Sequence, residues 1–581
     1  MVTFSLDFSL AQSHLVKVQL QFVTSKDAPV LHLPRWRPGR YEYQNFERTL
    51  NDLIVKDQTG TPIPLMPVSP HSWQLDAKAG TPIKVSYSFF AKVQDAGGSF
   101  VDDRHVYLNG INFSLFTQDT LNQPHKIILK GLPKTYQVAC GLPCAEHTLE
   151  AASFDEWVDS PLLAGADLQH HKFQVRGIPF HLWFQGNCTP DLPRMEKDFT
   201  RYTEAQLEVF GEFPVSEYHY LFVMPPYEMR HGVEHINSTV IAMGPGTRLM
   251  QPDFYRSFLE ISSHELFHTW NVKALRPADM KPYDYAKAQV SALHYITEGV
   301  TTYYGDLMIW KGGGWNLSEW LQSINNETKR FMSMTGKDVT SLEQASIQSW
   351  ANAYQREVFP NRRISFYTKG YLVAFLLDTH IRKLTSHQSS LDTVMRRMYH
   401  EIAKANRGYT SADYQRIAEE ECGNSLEEFF YKYIQGVESL VPALESAADF
   451  YGFDVRKEPI GTLAVHTFGI VRQADLKIHQ LTNVLPGSPA EMSGLAIGDE
   501  LVAINGMQIG PSLDEALAYH GNGIMEIHFF RQGTLRTTQL VALHQWKLET
   551  LVFTLQDLPS ETQARNLERW QRIHTEPIYA R

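Results

Sequence analysis

The stretch Ser262-Ser263-His264-Glu265-Leu266-Phe267-His268-Thr269-Trp270 decides how this chain is read. It contains H-E-x-x-H. On a helix, residues four apart lie on one face, so the imidazoles of His264 and His268 can hold a single Zn²⁺. Glu265 points beside them, where it can take a proton from a water that the metal acidifies. The same pattern also arises by chance in ordinary amphipathic helices, so the surrounding chain has to supply the rest of a site.

A catalytic zinc site needs a third protein ligand and keeps one position open. A metzincin would carry glycine and histidine where this chain has Asn271 and Ala274, which excludes that class. Further on, Lys287-Ala288-Gln289 offers no carboxylate. The first glutamate after the motif is Glu298, in His294-Tyr295-Ile296-Thr297-Glu298-Gly299-Val300-Thr301-Thr302-Tyr303-Tyr304. The loop before it is long enough to turn its helix back across the first. Asp279 and Asp284 lie between, in a Pro-rich loop that holds a ligand less rigidly. Glu298 is the expected third ligand, and His294, one turn earlier, is read as a supporting or surface histidine.

At 581 residues and about 150 residues per domain, the chain divides into three or four units. Its 43% hydrophobic and 20% charged residues are ordinary for globular protein. A net charge of -11 argues against a nucleic-acid partner. Cys140, Cys144, Cys188 and Cys422 are too few and scattered for a disulfide framework, and Cys140/Cys144 lack the second pair of a zinc site. The start, Met1 to Asp7, has no basic stretch followed by an apolar core, and no uncharged apolar run approaches a membrane span. A soluble cytoplasmic protein without a membrane partner is expected.

Residues 1–175 read as an N-terminal β-sheet domain, from period-two alternation in Val16 to Phe22 and Ile83 to Phe89. Within it, Pro34-Arg35-Trp36-Arg37-Pro38-Gly39-Arg40-Tyr41 is a turn-rich aromatic segment to which the pattern assigns no role. Residues 176–445 read as a mixed domain. It has a helix from Arg194 to Phe210, strands at 218–224 and 238–243, a charged connection from Arg230 to Asn237, and helices at 286–310, 316–333, 364–384, 390–405 and 411–434. Residues 455–545 form another unit. There Val484-Leu485-Pro486-Gly487-Ser488-Pro489-Ala490 and Ser493-Gly494-Leu495-Ala496-Ile497-Gly498-Asp499-Glu500-Leu501 lead to an Asn505-Gly506 hairpin. That succession closely resembles a PDZ domain. Thr467-Phe468-Gly469-Ile470 would be its carboxylate-binding loop, with Phe468, Gly469 and Ile470 meeting a peptide C-terminus. Residues 546–581 read as a C-terminal tail whose Trp546, Leu551 and Phe553 would pack on the catalytic part or fill a groove.

Taken together, His264-Glu265-x-x-His268-x-Trp270-Asn271, then Glu298-Gly299-x-Thr301-x-Tyr303-Tyr304, then the PDZ-like unit resemble the glycyl aminopeptidase family of gluzincin metallopeptidases. The match covers most of the chain and includes Pro34-x-Trp36-x-Pro38-Gly39. It implies a multidomain α+β protein: an N-terminal β domain, a thermolysin-like mixed and helical catalytic domain, and a C-terminal PDZ domain. It also gives two further stretches a meaning. His231-Gly232-Val233-Glu234-His235 is similar to the family's substrate-binding segment, with Gly232 and Val233 along the peptide and Glu234 pairing with its free α-amine. His231 stands where the family has glycine, which leaves the backbone there open to question. Tyr367-x-Lys369-Gly370 resembles the segment that supplies the transition-state tyrosine, so Tyr367 would donate to the oxyanion.

The resemblance thus implies a zinc aminopeptidase, with one Zn²⁺ per chain on His264, His268 and Glu298. Glu265 would be general base and then general acid, and small N-terminal residues, glycine or alanine, would be preferred. Two alternatives stay open. One is a zinc endopeptidase that recruits substrate C-termini through the PDZ groove. The other is a non-catalytic PDZ interaction protein.

Overall fold

The computed structural model describes residues 1–355, 358–473, 479–521, 523–543 and 545–573. The alternating N-terminal strands do what their period dictates. In Leu15–Val23, Val16, Val18, Leu20 and Phe22 are buried, while Lys17, Gln21 and Val23 face outward. This strand pairs with Val2–Leu10 and Pro82–Phe90 inside a seven-stranded sheet.

The catalytic half rests on a five-stranded sheet in the order Gln169–Val175, Ile178–Gly186, Tyr218–Met224, Ser238–Gly244, Met229–Glu234. Its first strand was expected in the N-terminal domain, but Gln169–Val175 pairs with Ile178–Gly186 and so belongs to this sheet. Tyr218–Met224 and Ser238–Gly244 are buried along their whole length, which is why they read as unbroken apolar runs. Residues 230–237, expected as a loop, contain the edge strand Met229–Glu234, registered from Met229↔Gly244 to Glu234↔Thr239. Its polar content reflects a strand whose one face borders a cleft.

The motif helix, Pro252–Phe267, begins with proline in its first turn and carries His264 and Glu265 in its last. The stretch 286–310, expected as one helix, is a loop, a wide π-helical turn at Tyr295–Val300, and the helix Thr301–Lys311. Leu317–Ser333 and Phe366–Leu384 fall where helical spacing put them. The helix expected over 411–434 breaks after Ser411–Cys422, because Gly423 caps it at φ +66°.

The PDZ-like unit has its own core, which includes Phe468, Ile470, Leu501, Leu513, Met525 and Ile527. It is inserted into a hairpin: Phe453–Pro459 before it pairs antiparallel with Glu549–Leu555 after it, Pro459 opposite Glu549. The segment expected as a tail therefore returns to the main body. Asn325 exchanges two hydrogen bonds with the Phe553 backbone, at 2.8 and 3.0 Å. The helix Glu561–Gln571 then delivers Trp570, fully buried, among Trp310, Trp320, Phe375 and Tyr451. Leu551 and Phe553, expected to pack on the catalytic part or fill a groove, lie in the main core, while Trp546 stays with the PDZ-like unit, donating to Pro486 O at 3.3 Å.

One ion pair clamps the N-terminal domain to the catalytic half. Lys273 Nζ donates to Asp159 Oδ1 at 2.7 Å, His235 Nδ1 lies 3.1 Å from the same oxygen, and the Ile236 N–H donates to Oδ2 at 2.9 Å. Burial opposes a charge on Asp159, but Lys273 and then His235 hold its carboxyl at about 2. The group is depressed in the folded state. Its contribution is complete above the ordinary carboxylate range, near about 4, and is lost as pH falls toward 2. Asp159→Ala leaves the Lys273 ammonium buried without its partner and should destabilise the protein by about 3–5 kcal/mol at neutral pH. Denaturant titration of the variant against the parent checks this, and an unchanged midpoint would mean that the clamp holds nothing.

Candidate active site

Four elements meet at the motif helix. His264 Nε2 and His268 Nε2 lie 3.0 Å apart, and Glu298 Oε2 lies 3.8 and 3.4 Å from them respectively. His268 Nδ1 is 2.7 Å from the Asn271 carbonyl, which can only accept, so Nδ1 carries a proton and Nε2 is the nitrogen turned to the cluster. Asn271 in turn ties down the turn that bears Glu298, donating from Nδ2 to Ile296 O at 2.9 Å and to Thr301 Oγ1 at 3.0 Å. That turn lies against the Tyr367 helix at Gly299 and Gly370. A Cβ on Gly299 would stand 2.5 Å from the Gly370 Cα, so only paired glycines permit the approach.

The site is rich in carboxylates. Burial raises Glu265 to about 8, with Glu234 and Glu298 adding to it against His268. Burial also raises Glu298, while His268 pulls it down. His268 goes the other way: burial works against its charge, yet Glu298, Glu234 and Glu265 hold it up at about 9. The cluster therefore keeps protons where a divalent cation would take their place. Two imidazoles with a carboxylate form the donor set of a catalytic zinc site, and their ligand atoms lie within 4.8 Å of one another.

A second group, His181, Glu217 and His219, meets the same spacing but not the same chemistry. The Trp183 indole Nε1–H donates to His219 Nδ1 at 3.2 Å, which puts that ring's proton on Nε2, facing Glu217 at 3.4 Å. A ring that presents N–H toward the centre of its cluster is a donor to Glu217, not a metal ligand.

The edge strand sorts its residues by alternation. Arg230, Gly232 and Glu234 face the cleft, a cavity of about 420 Å³, and a Cβ on Gly232 would stand 2.0 Å from Glu265 Oε1. Val233, expected along the peptide, points the other way into a core cluster and does not line the cleft. His231 also points back, its Nε2 3.3 Å from the buried Arg37 guanidinium of the N-terminal domain. Histidine in place of glycine is thus accommodated without disturbing the strand. Glu234 is 4% exposed, and its Oε1 has no hydrogen-bond partner. Among the described residues no cation pairs with it.

Tyr367 lies in the same cleft, its hydroxyl kept protonated by burial and by Glu298. Two tyrosines that the sequence reading left out stand beside it. Tyr354 Oη is 3.4 Å from Tyr367 Oη, and Tyr41 Oη donates to Glu298 Oε1 at 3.2 Å. Neither falls in a spacing that points to chemistry. Proximity of Tyr41 to the Pro-x-Trp-x-Pro-Gly segment was the one available signal. His294, expected as supporting or surface, is fully buried and stacked on Tyr41, with ring centroids 3.7 Å apart.

Phe468, Gly469 and Ile470 belong to the PDZ-like unit, not to this cleft. The Phe468 and Ile470 side chains sit in its core. The Gly469 N–H donates to Val465 O at 3.0 Å, so it is already engaged.

Family comparisons agree with this layout. A family model for the Peptidase M61 N-terminal domain matches residues 3–166, one for M61 glycyl aminopeptidase matches 257–373, and a PDZ-domain model matches 480–519. No curated protein matches the chain in sequence. Among solved structures, an aminopeptidase N family protein from Idiomarina loihiensis is similar over 98% of this chain and 100% of its own, with 25% identity and a TM-score of 0.87. An M1 zinc metallopeptidase from Deinococcus radiodurans covers 75% of this chain and 94% of its own, at 12% identity and a TM-score of 0.48. Models of one family thus match the N-terminal stretch and the stretch that carries the cleft, and one solved structure is similar along nearly the whole length, so the chain resembles the M61 glycyl aminopeptidases.

Proposed function

We propose that the protein removes the first residue of peptides, favours glycine or alanine there, and carries one Zn²⁺ per chain on His264, His268 and Glu298. The observation that carries this reading is Glu234: a buried carboxylate oxygen without a partner, on the cleft face of a strand at the sheet's edge. Leaving such a group unmatched is costly, and an α-ammonium matches it. The strand's free edge can hold the rest of the peptide by main-chain hydrogen bonds. Support for a small first residue comes from Gly39, where a Cβ would stand 2.5 Å from Glu234 Oε2, and from the buried ring of Tyr41 nearby.

Zinc bound there would supply a Lewis acid for the scissile carbonyl and a lowered pKa for water. Glu265, whose burial lifts its proton affinity, accepts the proton of the attacking water and passes it to the departing amine. Glu234 fixes the ammonium and so the distance to the first peptide bond. Tyr367, held as a neutral phenol, donates to the oxyanion.

Three measurements check this reading. Glu265→Gln should lower kcat by about 10²–10⁴-fold while metal analysis still finds zinc; near-normal turnover would remove Glu265 from its role. Glu234→Gln should cost about 10- to 150-fold in kcat/KM on free peptides, and the parent enzyme should ignore the same peptides once N-acetylated. Cleavage of blocked peptides would make the enzyme an endopeptidase instead. Because His268 is held up at about 9 without metal, zinc binding at pH 7 should release about one to two protons per ion. Calorimetry in buffers of different ionisation enthalpy reads that number, and no buffer dependence would sink the ligand assignment.

A further inference from the structure

Tyr41 reaches the Glu298 carboxylate from a different domain. The segment that bears it is pinned to the catalytic half before it arrives. The Arg35 N–H donates to Tyr285 O at 2.9 Å, and Trp36 Nε1 donates to Asp284 O at 2.8 Å. The fully buried Trp36 ring meets Trp350 edge-on at 5.4 Å. Gly39 then turns the chain at φ +78°, directly against Glu234. Tyr41 follows, 1% exposed, its ring laid on His294 at 28°. Both nitrogens of His294 are buried without partners, so what this imidazole offers is its flat face. The tyrosine hydroxyl ends 3.2 Å from Glu298 Oε1.

That contact divides the carboxylate. Oε1 accepts from Tyr41, while Oε2 faces His268 and His264 at 3.4 and 3.8 Å. The terminal torsion of a glutamate is broad and roughly two-fold, so an unrestrained carboxylate could present both oxygens to an ion. Doing so would fill the position that a catalytic site keeps open. Building on the ligand set proposed above, we propose that Tyr41 is a positioning residue that keeps Glu298 a one-oxygen ligand and so preserves the open coordination position. The N-terminal domain then contributes to the metal centre itself.

Tyr41→Phe tests this with little risk to the fold, because it keeps the ring on His294 and removes only the hydroxyl. Zinc affinity is read by competition with a chromogenic chelator, and ligand geometry by the visible spectrum of the cobalt(II)-substituted protein. Y41F should bind zinc about 10- to 100-fold more weakly. Its cobalt spectrum should lose intensity as the coordination number rises, and kcat should fall with KM unchanged. Wild-type affinity together with a wild-type spectrum overturns the role. Glu298→Ala, measured in parallel, separates the two levels. If E298A keeps full zinc affinity, the ligand set is wrong. If E298A loses zinc and Y41F keeps both the affinity and the spectrum of the wild type, only the role of Tyr41 falls.

Discussion

The active-site arrangement depends on how closely two backbones approach at Gly299 and Gly370. One lies beside Glu298 and the other three residues beyond Tyr367. Any side chain at either position would push the turn and the helix apart, and with them the carboxylate and the phenol that share the cleft. Packing at protein density transmits such a displacement instead of absorbing it. The E-G and Y-x-K-G signatures thus describe one contact seen from its two sides. The residues with chemistry are placed by the neighbours that have no side chain.

Charge supplies the complementary constraint. Glu234, Glu265 and Glu298 are buried together with His268, with His264 half-buried beside them, and without a metal the protein meets this excess of acid by retaining protons on His268 and Glu265. Such a group of carboxylates is stable only with cations among them. On the function proposed above, two positive species would answer that need: a metal at the imidazoles and the amine of a substrate at Glu234. The cleft is electrostatically half of an assembly whose other half arrives in solution.

The parts legible in the sequence are those set by local period or by fixed spacing. His264, Glu265 and His268 are one helical turn, Val16 to Phe22 is a half-buried strand, and the turn chemistry from Pro486 to Gly506 spells out its unit directly. Glu298 was picked out as the first glutamate after the motif, and Tyr367 through the resemblance of Tyr367-x-Lys369-Gly370. What escaped is set by tertiary contact. Tyr41 acts across a domain boundary from a stretch dominated by turns. Tyr354 matters only because Tyr367 is beside it. Met229–Glu234 looked like a loop because an edge strand with one polar face has no apolar alternation strong enough to report it. Trp570, a single aromatic on a short polar helix, closes the main core without any periodic signal.

The PDZ-like unit enters and leaves through Pro459 and Glu549, which face each other across a hairpin. A module on a single linker sweeps a wide volume, but one tethered by two adjacent strands is held at both ends and keeps its bearing. Anything caught by that unit stays within a short, nearly constant reach of the main body, so its local concentration there is set by geometry and not by its abundance in bulk.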